Sequence, residues 1–195
     1  MKPPAAAPSG ATGWTAAGLL ACGLLAAAGC SSSSSGFIGQ TVSPTEPAAG
    51  LVGASAIVTE VVDGDTVIAE VADRTERVRL IGIDTPEATG GFLPVECFGD
   101  EATAFTKSLL PPGTEVRLTR DAEARDRYDR LLAYIHRADD GLFVNLEIAA
   151  NGYAEALIIN PNTIHAGAFY AAAAAAREQG LGLWDACGSA DVVLE

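Results

Sequence analysis

Apolar and polar residues alternate in short bursts between residues 56 and 137. AIVTEVVD at 56–63 and TVIAEV at 66–71 are β-branched runs that meet at Asp-Gly-Asp. VRLIGI at 78–83 follows the polar stretch VADRTER, and EVRLTR at 115–120 and RLLAYIHR at 130–137 come later. Bounded by turn residues such as ADDG at 138–141, these runs predict five strands. The period lengthens to that of a helix in three places. DEATAFTKSLL at 100–110 stops at Pro111-Pro112-Gly113, and VNLEIAANG at 144–152 stops at Asn151-Gly152. TIHAGAFYAAAAAAREQG at 163–180 is rich in Ala, the best helix former, and ends at Gly180. Three strands, a helix, two strands and two helices predict a small α+β barrel rather than a parallel sheet.

The first fifty residues follow no such pattern. Residues 16–29, AAGLLACGLLAAAG, are apolar or small throughout. That run is short of the ~20 residues of a membrane-spanning helix and suits a secretory h-region better. It ends in AAAGC, with Cys30 directly before SSSSSG. Small residues before a Cys, then a Ser-rich tail, resemble the lipobox of bacterial lipoproteins, whose cleavage leaves the Cys as a lipidated N-terminus. Ala27 stands where the lipobox usually has Leu, and Lys2 is the only basic residue before the run. A plain signal peptide or an uncleaved anchor is the alternative. Residues 1–30 are thus read as an export segment with Cys30 as the lipidation site. The protein is expected outside the cytoplasm, anchored at the outer face of the membrane or otherwise secreted. Residues 31–53 have no sustained period and read as a flexible Ser/Thr/Pro/Gly-rich tether. Residues 54–190 remain as one domain of ordinary size. No oligomerisation signal is visible, and a monomer is expected.

Composition changes this picture in two ways. Of the four cysteines, Cys22 and Cys30 fall in the export segment, leaving Cys97 and Cys187. An oxidising compartment permits one disulfide between them, two separate buried thiols being the other arrangement. The 195 residues carry a formal net charge of -13, whereas nucleic-acid binders usually show a basic patch.

The candidate chemistry lies in three charged pieces. DGDT at 63–66 is, taken alone, a turn. It is not an EF-hand loop, since position five is Val67 and the required Gly and Glu do not follow in register. If the segment is extended, Asp63 and Asp65 share a face. IDTPE at 83–87 alone is a strand ending at a helix start, with Asp or Thr as cap and Pro in the first turn. An aspartic-protease pairing of Asp65-Thr66 with Asp84-Thr85 fails, because Val67 and Pro86 stand where Gly is needed. In RDRYDRLLAYIH, five Arg between 117 and 130 are balanced by Asp121, Glu123, Asp126 and Asp129.

Together the pieces ask for more. Asp65, Asp84 and Glu87 could gather at a site that also holds Arg79 and Arg130. Clustered carboxylates repel unless a cation joins them, and hard oxygens suit calcium or magnesium. A cation beside arginines calls for an anion such as phosphate, which Arg forks grip bidentately. A remaining carboxylate could activate water, the plan of a metal-assisted phosphodiesterase. Strict alternation, however, puts Arg79 and Asp84 on opposite faces of one strand. Both reach one site only if the chain bends between them, and Gly82 is the candidate for a bulge.

VVDGDTV, VRLIGIDTPE, FGDEATAFTKSLL, DRYDRLLAYI, VNLEIAANGYA and the closing helix through GLGLW, in this order and spacing, resemble the staphylococcal nuclease (thermonuclease) family. The resemblance runs from about Ile57 to Trp184. It implies an OB-type five-stranded β-barrel with three α-helices and calcium-dependent hydrolysis of DNA or RNA. By that resemblance Asp65 and Asp84 match carboxylate calcium ligands, Thr85 adds its backbone carbonyl, and Asp63 supports the site. Glu87 matches the general base that activates water. Arg79 and Arg130 match the arginines that clamp phosphate and stabilise the transition state. Arg127 and Tyr128 match positions that contact the nucleotide.

Two departures bear on activity. Leu157 and Ile159 stand where well-known members place two tyrosines against the nucleotide, and aromatic stacking can contribute ~1–3 kcal/mol. Asp129 replaces a Gly beside Arg130, where its carboxylate could pair with an Arg or repel phosphate. With the acidic charge, these favour the alternative of a non-catalytic nucleic-acid or ligand-binding module on the same barrel. The intact set of Asp65, Asp84, Glu87, Arg79 and Arg130 favours the nuclease.

Overall fold

The computed structural model describes residues 53–91 and 93–194. The export segment, Cys30 and residues 31–52 of the tether lie outside the described residues. In chain order the elements are β1 (Ala54–Asp63), β2 (Thr66–Val71), β3 (Arg74–Leu80), β4 (Gly82–Asp84), α1 (Gly99–Leu109), β5 (Glu115–Thr119), β6 (Leu131–Arg137), α2 (Val144–Ala150), β7 (Glu155–Leu157), α3 (Ala166–Glu178) and α4 (Leu183–Ala186).

Five strands close into a barrel in the order β1-β2-β3-β6-β5. Neighbours are antiparallel except β3 and β6, which run parallel from Val78↔Leu131 to Leu80↔Ala133. A parallel pair needs a long crossover, and here β4, α1 and β5 lie in between. The OB-type α+β barrel expected from the sequence is present, with two short strands and a one-turn helix in addition.

Two strand expectations need correction. VADRTER is not a long turn: Ala72-Asp73 alone turns β2 into β3, and Thr75 to Arg77 pair with β2. Both turn residues have positive φ, 48° and 62°, the geometry that suits a two-residue hairpin. Thr75, Glu76 and Arg77 are polar because that end of β3 is largely uncovered, so they carried no apolar strand signal. VRLIGI is not one strand either. It breaks at Ile81, and β4 leaves the barrel to pair with β7, from Gly82↔Leu157 to Asp84↔Glu155.

The barrel interior is apolar. Val58, Val67, Val78, Leu80 and Ile135 are fully buried, each contributing about 1.5–3 kcal/mol of transfer free energy. Within β1 the inward positions run Ala56, Val58 and then Val61, one residue out of step. A register shift between Val58 and Glu60 supplies the extra residue and keeps Glu60 in solvent. α2 covers the barrel through Val144, Ile148 and Ala149, and α3 through Phe169. The buried Asn145 joins these layers. Its amide donates to the Ile81 and Ala133 carbonyls, and its oxygen accepts from Ile135 N–H.

Candidate active site

The bend between β3 and β4 creates the site. Gly82 has φ +91°, a left-handed conformation that L side chains rarely adopt, and an added Cβ would run into the Phe169 ring. Gly82 does not bulge a continuous ladder; it marks the point where the chain changes sheet. The turn brings Asp84 back to the Arg79 side, so the conflict of faces posed by strict alternation disappears. Arg79 Nη2 donates to Asp84 Oδ1 at 2.8 Å and lies 3.0 Å from Asp65 Oδ2. Its Nη1 donates to the carbonyls of Leu80 at 2.6 Å and Ile83 at 3.0 Å.

Asp63 and Asp65 flank the β1–β2 turn, which is not extended, so they do not share a strand face. Asp63 Oδ1 accepts from Asp65 N–H at 3.1 Å, a local turn contact that aims Asp65 inward. Asp65 Oδ2 then accepts from both the N–H and the hydroxyl of Thr85, each at 3.1 Å. Thr106 of α1 donates its hydroxyl to the Gly64 carbonyl at 2.6 Å, tying this turn to the helix. Two groups distant in sequence, Arg79 and Thr85, thus hold one carboxylate, and α1 holds its turn.

Arg130 enters from the start of β6. Its Nε donates to Asp126 Oδ2 at 2.7 Å, while Asp126 Oδ1 accepts the N–H groups of Tyr128 and Arg130 at 2.9 Å each. Among the described residues the terminal nitrogens of Arg130 have no hydrogen-bond or ion-pair partner, and the guanidinium lies 5.6 Å from the Tyr128 ring centroid. Burial works to raise the Asp126 carboxyl, but hydrogen bonds from Arg130 and Tyr128 outweigh it and hold it below the usual range. In the sequence Asp126 is only one of the acids that balance the arginines. A turn carboxylate four residues before an Arg was the available signal.

Asp63, Asp65, Arg79, Asp84, Thr85, Glu87, Tyr128 and Arg130 line one groove of about 570 Å³. Arg127 does not line it. That side chain lies over the exposed Tyr128, 4.7 Å from the ring centroid, with Nη2 donating to the phenol oxygen at 2.7 Å. A second cavity of about 240 Å³ opens beside the groove, between Arg79 and Arg130, walled by Leu132, Leu157 and Ile159. Asp129 has φ +63° and is 87% exposed, with its carboxylate 3.6 Å from Arg125. It pairs loosely with an Arg, and the Arg is not Arg130. Cys97 and Cys187 are joined as a disulfide.

The groove is electrostatically tense. Burial pushes the Asp84 carboxyl up to about 6 against the opposing pull of Arg79, with Asp65, Asp191 and Glu155 adding repulsion. Burial raises Glu87 too, with further repulsion from Asp63, Asp65 and Glu96. Asp63 is raised by burial and then by Asp65. Among the described residues only Arg79 pairs with these carboxylates, Arg130 being paired with Asp126, which leaves negative charge that a hard divalent cation would relieve. Among the described residues, no three His, Cys, Asp or Glu side chains converge as a metal cage. The carboxylates that line the groove are hard oxygen donors, the kind that suits a divalent cation keeping part of its water shell.

Comparison with known proteins bears on the family of this chain. A family model described as staphylococcal nuclease homologue matches residues 77–186. The chain is 38% identical over 133 residues to a thermonuclease of Staphylococcus intermedius, across 68% of this chain and 77% of that protein. It is 39% identical over 105 residues to a thermonuclease of Staphylococcus hyicus, across 54% and 60%. Endonuclease YhcR of Bacillus subtilis is 35% identical over 140 residues, where the match spans 66% of this chain and 11% of that larger protein. The family model starts after Asp63 and Asp65, and Arg79 and Thr85 bind Asp65 to the matched part. By sequence and by barrel topology, the chain belongs to the staphylococcal nuclease homologue family.

Proposed function

We propose that this chain is a calcium-dependent nuclease that hydrolyses phosphodiester bonds of DNA, RNA or both. The observation that carries the proposal is the convergence of Arg79, Arg130, Asp65, Asp84 and Glu87 on one groove. Calcium, held by Asp65, Asp84 and the Thr85 carbonyl, would supply positive charge beside the scissile phosphate. Asp63 supports that site by orienting Asp65 through its backbone N–H.

Arg130 is ready for an anion, because Asp126 fixes its Nε side and leaves the terminal nitrogens to the groove. Arg79 is engaged with Asp65 and Asp84, so phosphate binding there exchanges a carboxylate contact for a phosphate contact. Glu87, whose carboxyl is raised by burial, takes a proton from water as that water attacks phosphorus; the P–O bond to the leaving sugar oxygen breaks, and that oxygen departs with a proton taken from solvent. The two guanidinium groups stabilise the charge that develops on the phosphoryl oxygens. Tyr128, 64% exposed, lines the groove and offers an aromatic contact to a base of a single strand, with Arg127 and Arg130 beside its ring. The relatives named thermonuclease and endonuclease support the same reading.

The apolar run at 16–29 and Cys30 support export and lipid anchoring at the outer face of the membrane. The acidic chain should bind nucleic acid weakly away from the groove, and its activity should fall steeply with salt.

The test follows cleavage of single-stranded DNA and RNA by the full chain in detergent at low salt, with calcium and then with chelator. Calcium-dependent cleavage that Glu87→Gln abolishes without loss of folding would establish the reading. No cleavage of either polymer by folded protein would overturn it in favour of a binding module.

A further inference from the structure

The backbone of Glu87 is held in a reciprocal clasp. Its N–H donates to Glu96 Oε2 at 3.0 Å. Its carbonyl accepts from Glu96 N–H at 2.9 Å. The loop between Glu87 and Glu96 lines the groove through Ala88, Thr89, Gly90, Gly91 and Leu93, and one half-buried residue, Glu96, closes both sides of its neck. The side-chain contact is charge-assisted, with a carboxylate on an amide, and belongs to the stronger class of hydrogen bonds.

The clasp is itself braced. α1 begins at Gly99, where an added Cβ would collide with the Glu87 carbonyl, so the helix start presses on the same peptide. On the far side Cys97 is bonded to Cys187, and the C-terminal segment pairs with this stretch. Cys97 N–H donates to the Val192 carbonyl at 2.7 Å, and Leu194 N–H to the Val95 carbonyl at 2.8 Å. Glu96 therefore sits between a covalently anchored edge and the residue that the nuclease reading makes the base.

We propose that Glu96 is a positioning residue: its carboxylate fixes the Glu87 backbone and so aims the Glu87 side chain at the attacking water. The proposal rests on the nuclease reading for the identity of the base. General-base catalysis demands hydrogen-bond reach, and displacements near 1 Å can cost about a hundredfold in rate. Glu96 does not line the groove and need not touch substrate.

Two variants of the full chain separate this role from a structural one. Glu96→Ala removes the acceptor, whereas Glu96→Gln keeps an acceptor oxygen and removes the charge. With an oligonucleotide at saturating calcium, Glu96→Ala should lower kcat on the order of tenfold to a hundredfold, while KM stays within about twofold because the phosphate clamps are untouched. Glu96→Gln should recover most of that loss. Hydrogen exchange gives a readout without activity: the Glu87 amide should be protected in the parent and in Glu96→Gln, and exposed in Glu96→Ala. A free-exchanging Glu87 amide in the parent would overturn the clasp even if no substrate were ever cleaved. An unchanged kcat in a folded Glu96→Ala, a loss confined to KM, or no rescue by Gln would overturn the positioning role. If the parent cleaves nothing yet its Glu87 amide is protected through Glu96, the nuclease reading fails and the clasp stands as structural, which ends the catalytic claim.

Discussion

Arg79 Nη2 and Asp84 Oδ1 lie 2.8 Å apart, although five residues of alternating strand would set them on opposite faces. Their meeting is the outcome of the bend at Ile81-Gly82, and it lets β3 and β4 serve a single groove. A clamp and a candidate metal ligand on neighbouring residues of one ladder would diverge.

The bend rests on Gly82. Gly82→Ala combines a positive φ, costing about 1–2 kcal/mol, with a Cβ driven into Phe169, costing about 1–3 kcal/mol more. A loss of about 2–5 kcal/mol is expected in urea unfolding. A neutral substitution would show that β4 can leave the barrel without this glycine.

Asp129 should be a site of easy stabilisation. It holds φ +63° with its carboxylate in solvent. Asp tolerates this conformation better than most residues, so Asp129→Gly should gain no more than about 1 kcal/mol. The same change removes a negative charge next to Arg130 and should strengthen binding of single-stranded DNA at low salt. Weaker binding would mean that the carboxylate helps to order the 126–130 turn.

The Asp84 carboxyl ties stability to pH. Its value rises from 3.8 to about 6 on folding. The protonated form is thus favoured by the fold, and that contribution is full below 3.8 and is lost as pH rises through about 6. Chelated protein should lose melting temperature across this window. Asp84→Asn should flatten the slope, and calcium at pH 7 should restore stability to the parent but not to the variant. A calcium response preserved in Asp84→Asn would remove Asp84 from the ligand set.

The disulfide closes a loop of 90 residues. By chain entropy it should contribute about 4–5 kcal/mol. Cys97→Ala with Cys187→Ala should unfold at correspondingly lower urea. Release of the C-terminal segment should also loosen residues 95–97, seen as faster exchange of the amides at position 97 and at Leu194. Retained protection at both would show that the tail pairing stands without the covalent link.

Much of this protein was legible in its sequence because local chemistry announced itself. β-branched runs, turn dipeptides and helix stops marked the five barrel strands and three main helices to within a few residues. Polar strand ends did not: Thr75, Glu76 and Arg77 looked like turn because exposure removes the apolar alternation on which the reading depends. β7 was hidden for another reason. Three residues paired only with β4 carry too little pattern to stand out.

The site divides in the same way. The residue types, and hence the chemistry of carboxylates, arginines and hard oxygen donors, were set by the sequence alone. Which of them meet was decided by the tertiary structure, because each contact depends on a long-range event. Asp65 reaches Thr85 because a β-turn packs against the end of β4. Arg130 is oriented by Asp126 within its own turn, but it faces Arg79 only because β6 lies parallel to β3. Glu96 gives no sign of a role, since a single glutamate in a loop of small and apolar residues carries no local signature. Its meaning arises only where the loop closes on itself beside a disulfide. Sequence specifies groups and local geometry through short-range sterics, whereas the convergence of distant groups is the product of barrel closure and core burial, which no local window contains.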